Sequence, residues 1–173
     1  MSSLAKQLEQ AERLPDGTVV RLRSLRPEDE TLLQDFALHM SPEDMRLRFF
    51  APMRGLTHEL ATQLSHIDED RDGALLAIAE GAEEVLGAAQ FFADLDDRSA
   101  EFAIAVRSDW KAHGLAHLLL ARLIQLARQR GIDELVGEVL PENAAMLRLC
   151  REFGFTVGTD PRDPKLRRVS KTM

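Results

Sequence analysis

Three short apolar segments stand close together in the middle of the sequence, and they constrain the fold more than any other feature. The segments cover residues 74–79, 85–93 and 100–107, and polar turns at 80–83 and 94–98 separate them. Consecutive strands joined by short turns form an antiparallel meander. The centre of the chain is therefore predicted to be a three-stranded meander.

The flanking segments carry helical and further strand patterns. Residues 1–14 are predicted to be a short polar helix or tail, and residues 15–173 a single domain. Helices are predicted to begin at Arg26-Pro27, at Ser41 and at Thr57, where caps or first-turn prolines precede apolar stripes. The remaining predictions are strands at 18–25, 135–140, 154–157 and 166–171 and helices at 115–130 and 143–153. This order predicts a mixed α/β (α+β) layer fold around a partly antiparallel sheet.

Composition excludes several classes of protein. The chain has 173 residues and a formal net charge of −7, whereas nucleic-acid binders normally carry a basic excess. No apolar run approaches the ~20 residues that span a bilayer, so no membrane association is expected. The N-terminus lacks a signal-peptide pattern, and the one cysteine, Cys150, cannot form an internal disulfide. These features predict a cytoplasmic protein.

The loop between the third meander strand and the long helix is a candidate phosphate site. Small residues stand at alternate positions, Ala112, Gly114 and Ala116, so a ligand could approach the backbone where a helix N-terminus offers free N–H groups. Lys111 and His113 add donors at the rim. From these residues alone, a glycine needed only for turn geometry is an equally good interpretation. The loop is neither a Walker motif nor a dinucleotide fingerprint.

Two motifs resemble the GNAT superfamily of acyl-CoA N-acyltransferases. The loop resembles the family's Arg/Gln-x-x-Gly-x-Gly/Ala motif with Lys111 in the first position, and 141–149 followed by Phe153-Gly154-Phe155 resembles its asparagine helix and terminal Gly-Phe. The resemblance implies a GNAT-like, largely antiparallel sheet flanked by helices, and acetyl-CoA as co-substrate without a metal. The coenzyme-binding residues that it implies are Ile104, Ala105, Val106, Lys111, Ala112, His113, Gly114, Leu115, Ala116 and Asn143.

A narrower resemblance concerns the acceptor. Residues 26–29, 41–50, 100–103 and 136–140 resemble the acetyltransferase domain of bacterial protein-lysine acetyltransferases. This resemblance implies that the acceptor is a primary amine, with a protein lysine favoured. A small-molecule amine acceptor and a non-catalytic acyl-CoA-binding sensor are the alternatives.

Glu101 is the predicted general base. An attacking amine must be neutral, so a carboxylate near the acyl carbon has to accept a proton. By strand alternation, Glu101 shares a face with Ala103 and Ala105, whose small side chains leave room for substrate. In the family that the chain resembles, a glutamate at this position is the base. A solvated surface glutamate is the alternative, and Glu138 is a second candidate that is slightly favoured to face solvent.

Cys150 is a candidate general acid. Many GNAT enzymes place a tyrosine at the end of the asparagine helix to protonate the leaving thiolate, but this chain contains no tyrosine and the matching position is Cys150. A thiol could donate a proton, although a cysteine that only packs the helix is the commoner outcome. His113 and His117 have a zinc-like spacing, but no third ligand is evident and no metal site is predicted.

Overall fold

The structure is a computed structural model, and it describes residues 9–51, 53–96 and 98–173. Within these residues eight strands form one sheet with the order β1-β2-β3-β4-β5-β6-β8-β7. The strands are β1 (Gln10–Arg13), β2 (Val19–Ser24), β3 (Gly73–Ala79), β4 (Val85–Ala93), β5 (Ser99–Val106), β6 (Glu134–Val139), β7 (Thr156–Thr159) and β8 (Arg167–Thr172). The mixed α/β architecture with a largely antiparallel sheet confirms the fold class predicted from the sequence.

Five helices flank the sheet in the described part of the chain. They are α1 (Glu30–Leu38), which follows a 3-10 turn at Pro27–Asp29, α2 (Pro42–Phe49), α3 (His58–Ser65), α4 (Leu115–Gln129) and α5 (Ala144–Glu152). Side chains cap α2 and α3 as the sequence predicts. The hydroxyls of Ser41 and Thr57 each accept a hydrogen bond of 3.1 Å from the backbone N–H three residues on. These caps fix where each helix begins.

Part of the N-terminal segment, which the sequence predicts to be a helix or tail, is a β-strand. Residues 1–8 lie outside the described part, but Gln10–Arg13 form the edge strand β1, which pairs antiparallel with β2. Three of its four residues are exposed, so the strand shows no alternation of apolar and polar side chains. Backbone hydrogen bonding to β2, rather than side-chain burial, makes this segment a strand.

The packing places α4 against one face of the sheet. Leu119, Leu120 and Leu123 are fully buried, and burial of each such side chain is worth about 1.5–3 kcal/mol. Close approach depends on Gly87 in β4, because a Cβ there would lie 2.8 Å from Leu119 Cδ1. The α1 and α3 helices cover part of the opposite face through a second, smaller apolar cluster around Phe36.

The neighbouring strands β5 and β6 are parallel, and they diverge along their length. β5 and β6 pair only at Ser99–Glu134, Ala100–Leu135 and Glu101–Val136. Beyond Glu101 the two strands diverge, while β4 continues to pair with β5 and β8 with β6. The middle of the sheet therefore opens into a gap bordered by unpaired stretches of β5 and β6.

Candidate active site

The gap between β5 and β6 forms the mouth of a cleft of about 440 Å³. Its walls come from both strands, from the loop before α4, and from residues of α2 and α5. The sequence-predicted site residues that line it are Glu101, Ile104, Ala105, Val106, Lys111, Ala112, Gly114, Leu115, Ala116 and Asn143. The fold thus brings together residues from three separate parts of the sequence, 101–106, 111–116 and 143.

The loop before α4 has the backbone conformation that an anion site requires. Ala112 and Gly114 both adopt positive φ angles, 66° and 84°, which turn the chain sharply into the helix. Gly114 is the N-cap and provides no side-chain hydrogen bond to the first helical turn. The N–H groups of that turn therefore remain available to a ligand at the positive end of the helix dipole.

Lys111 is held by a carboxylate on α2. Its ammonium group forms an ion pair with Asp44, and the Ser108 hydroxyl also donates to that carboxylate. The Ser41 N–H donates to Ser108 Oγ at 2.7 Å, so the start of α2 is tied to the loop. Burial alone would raise the pKa of Asp44, but the hydrogen bonds from Lys111 and Ser108 outweigh it and hold the pKa below its usual range.

His113 anchors the other side of the loop. Its Nδ1 lies 2.8 Å from Asp16 Oδ2, and its ring packs against Trp110 with the centroids 5.1 Å apart. The hydrogen bond from His113, followed by those from Thr18, holds the pKa of Asp16 at about 2. The loop is therefore fixed at both ends before any ligand arrives.

The exposed face of β5 carries the predicted base. Glu101 is exposed and Ala103 and Ala105 are half-buried, whereas Phe102 and Ile104 are buried on the other face, which confirms the predicted alternation. Glu101 is also the last residue of β5 that pairs with β6. Its carboxylate lines the cleft where the strands begin to diverge.

Glu138 lines the same cleft from β6, so the expectation that it faces solvent is wrong. Burial raises the pKa of its carboxyl group, and the negative charges of Glu101 and Asp160 raise it further. Two carboxyl groups therefore face one another across the opening, one on each diverging strand.

Cys150 is not part of the cleft, and the prediction that it acts as a general acid is corrected. Its side chain is fully buried in the core cluster beneath α5, and burial raises the pKa of the thiol to about 11. Cys150 shares the buried side of α5 with Leu147, three residues before it, and is not among the residues that line the cleft. The thiol therefore packs the core.

A substitution at Cys150 tests whether its thiol takes part in catalysis or only packs the core. We expect Cys150→Ala to leave kcat and its pH profile unchanged and to lower the free energy of unfolding by about 1 kcal/mol, because it leaves a small cavity. Steady-state kinetics across pH and urea unfolding measure the two effects. A selective loss of kcat at unchanged stability would restore the acid role.

Asn143 caps α5 and also belongs to the wall of the cleft. Its Oδ1 accepts a 3.3 Å hydrogen bond from the Met146 N–H at the start of the helix. The same residue lines the cleft. Its contact with the coenzyme stays a prediction.

Sequence reasoning missed two cleft residues on α2, Asp44 and Arg48. Asp44 forms an ion pair with Lys111, which is 67 residues away in the sequence, and no local pattern predicts that contact.

Metal sites and membrane spans are two other features on which the structure bears. The described residues contain no cluster of three or more potential metal ligands. Across 9–51, 53–96 and 98–173, no helix combines the length and apolarity needed to cross a bilayer.

The sheet opens between two parallel strands, and a loop that leads into a helix N-terminus lies at one end of the opening. This arrangement defines the acetyl-CoA-dependent N-acetyltransferase class. Residues 20–156 match the family model described as the acetyltransferase (GNAT) domain. The chain belongs to the GNAT family of acetyltransferases, and its co-substrate is acetyl-CoA.

Individual relatives agree with this assignment. Acetyltransferase PA5475 of Pseudomonas aeruginosa is 30% identical over 154 residues, which is 88% of this chain and 83% of that protein. The GNAT domain of S. lividans PAT superposes with a TM-score of 0.89 at 26% identity, over 96% of this chain and 98% of that one. The structure of yncA from Salmonella typhimurium with its cofactor acetyl-CoA gives a TM-score of 0.70 at 20% identity, over 88% and 93% of the two chains.

Proposed function

We propose that this acetyltransferase transfers the acetyl group to a primary amine, favouring a protein lysine, by direct attack with Glu101 as general base. The observation that carries the proposal is the position of Glu101. Its carboxylate lines the cleft at the last paired residue of β5, where β5 and β6 separate.

In this proposal the coenzyme crosses the cleft from the loop to Glu101. The pyrophosphate binds the N–H groups of residues 111–116, and the pantetheine arm pairs with the unpaired edge of β5 at Ile104–Val106 as an added strand. The five steps along the strand from Val106 back to Glu101 span about 16 Å at the usual rise of ~3.3 Å per residue. An extended arm lying along β5 would therefore bring the thioester toward the Glu101 carboxylate.

The chemistry then needs one proton acceptor. A lysine ammonium has an ordinary pKa of about 10.4, so near neutral pH it must lose a proton before attack. Glu101 takes this proton, directly or through water, and the neutral nitrogen then bonds to the acetyl carbonyl carbon and releases a second proton to solvent. The C–S bond then breaks, and coenzyme A leaves as a thiolate that takes a proton from solvent. Ala103 and Ala105 leave space for the acceptor beside the base.

Two classes of acceptor amine have support. The resemblance of residues 26–29, 41–50, 100–103 and 136–140 to bacterial protein-lysine acetyltransferases favours a protein lysine. A small amine is the second candidate, because an L-methionine sulfoximine/L-methionine sulfone acetyltransferase of Pseudomonas aeruginosa is 33% identical over 88 residues, or 48% of this chain and 51% of that protein. We also propose that residues 15–173 act as one domain, and that the single buried cysteine suits the cytoplasm.

A turnover screen tests the proposed function. The purified chain is incubated with acetyl-CoA and either candidate lysine-containing proteins or a panel of small amines, and mass spectrometry locates the acetyl groups. We expect acetyl transfer to protein lysines at a rate above that of the panel. Exclusive transfer to a small amine would assign the second candidate, and binding of acetyl-CoA without any transfer would overturn the proposal.

A further inference from the structure

Arg48 is a half-buried cation without an anionic partner. It is the seventh residue of α2, and its side chain lines the cleft on the side of Ala103 and Ala105. Its guanidinium carbon lies 4.5 Å from the centroid of the Phe49 ring. No carboxylate among the described residues comes within 4.0 Å of its nitrogens, and none of its N–H groups has a hydrogen-bond acceptor there.

Arg46, two residues earlier on the same helix, has anionic partners. Its guanidinium forms ion pairs with Glu43 at 2.7 Å and with Glu142 at 2.9 Å. Both of those carboxylates are exposed. The arginine of α2 outside the cleft is thus paired twice, while the one that lines the cleft has no ion pair among the described residues.

Burial of the Arg48 charge without an ion-pair partner is energetically unfavourable when no ligand is bound. Burial lowers the pKa of Arg48 to about 10, and the negative charge of Glu101 opposes this shift only in part. The group therefore remains charged near neutral pH with few partners for its donors. Planar guanidinium groups with free donors bind carboxylates through two parallel hydrogen bonds, and such pairs are strong in partly buried sites.

We propose that Arg48 binds a carboxylate group of the acceptor and thereby selects amines that carry one near the reacting nitrogen. This inference rests on the proposed function, because it assigns the substrate class of the same site. The carboxylate can belong to a free amino acid or to an acidic side chain beside a target lysine. Arg48 presents the same chemistry to both.

The position of Arg48 favours the acceptor over the coenzyme as its partner. The predicted phosphate site lies beyond the C-terminal end of β5, where Gly114 and the first turn of α4 offer N–H groups. Arg48 instead borders Ala103 and Ala105, on the sheet face that carries Glu101. A carboxylate held there would place a neighbouring amine on the same face as the base.

Matched acceptors test the proposal. One arm compares free amino acids with their amides, and the other compares lysine peptides with a neighbouring Asp or Glu against the same peptides with Asn or Gln. In at least one arm we expect the wild type to favour the carboxylate member by roughly 10- to 100-fold in kcat/KM, the range of a charge-assisted hydrogen bond. In Arg48→Gln this preference should disappear, and in Arg48→Lys it should be partly kept.

Arg46→Gln is the matched control, because it removes an arginine from α2 outside the cleft and should retain the preference. Equal use of both members of each pair by the wild type would overturn the proposal. An equal loss for both members in Arg48→Gln would overturn it too, since that pattern indicates a general effect on Glu101 or on folding. The arm that shows the preference identifies the source of the carboxylate.

A binding measurement keeps this inference separate from the proposed function. If the wild type acetylates none of these acceptors, the proposed function fails, and Arg48 is then tested with N-acetylglycine and N-acetylglycinamide as probes in the presence of coenzyme A. Thermal protection by the carboxylate probe in the wild type and its loss in Arg48→Gln would support the carboxylate site. Equal protection by the two probes, or none by either, would overturn it.

Discussion

Replacing Glu101 by glutamine is expected to lower kcat by about 10²- to 10⁴-fold, the usual contribution of a general base. The amide keeps the shape of the side chain but cannot accept the amine proton. The Kd for acetyl-CoA should stay the same, because Glu101 is not among the residues proposed to bind the coenzyme. The remaining rate should rise with pH toward the pKa of the amine, since only amines already neutral can react. Single-turnover kinetics and calorimetric titration measure the two effects.

Glu138→Gln is the matched comparison for this experiment. Glu138 lines the same cleft from the opposite strand, and burial together with Glu101 and Asp160 raises its pKa. Because the thioester is proposed to lie along β5, we expect a smaller loss of kcat than in Glu101→Gln. The reverse order of the two losses would move the base to Glu138, and wild-type kcat in Glu101→Gln would remove Glu101 from the mechanism.

Replacing Gly114 by valine is expected to raise the Kd for acetyl-CoA at least roughly tenfold. Gly114 has a φ of 84°, a conformation that costs an ordinary L-residue about 1–2 kcal/mol and a β-branched residue more. A Cβ at this position would also lie 3.0 Å from Pro15 Cδ. The loop would have to change shape, and its N–H groups would no longer converge on the pyrophosphate. Calorimetric titration with acetyl-CoA measures the change.

Gly131→Val provides the control at the opposite end of α4. Gly131 has a similar φ of 76°, and a Cβ there would meet no heavy atom within 4 Å. Both variants should lose more than about 1–2 kcal/mol of unfolding free energy, measured with urea, because valine is β-branched and the backbone is strained. Only Gly114→Val should lose affinity for acetyl-CoA. A parallel fall in affinity in both variants would mean that the effect is on folding and not on the loop.

Local sequence patterns predicted the elements that carry the site. The meander was predicted at 74–79, 85–93 and 100–107, and the strands occupy Gly73–Ala79, Val85–Ala93 and Ser99–Val106. The long helix was predicted at 115–130 and runs over Leu115–Gln129. These segments have strong apolar periodicity and clear turn or cap residues at their ends, so local chemistry and tertiary packing favour the same structure.

Contacts between distant segments could not be predicted in this way. The pairing of Lys111 with Asp44 and the isolation of Arg48 depend on where α2 lies against β5. Periodicity gives the buried face of a helix, but it does not give the helix's neighbour across the cleft. Cys150 was misassigned because the family motif gave its sequence position, whereas its direction is set by the rotation of α5. The edge strand β1 was missed because its side chains are mostly exposed.

In the described part of the sheet, β5 and β6 pair at only three positions, and there the strands β1–β5 meet β6, β8 and β7. A coenzyme that hydrogen-bonds to β5 in the gap would complete the sheet across this narrow seam. Ligands that bind only the folded state add to stability by mass action, by about 2.7 kcal/mol at a hundredfold excess over Kd. The resistance of this protein to unfolding and proteolysis would then follow the acetyl-CoA concentration around it, so that its abundance in a cell becomes linked to the supply of its own co-substrate.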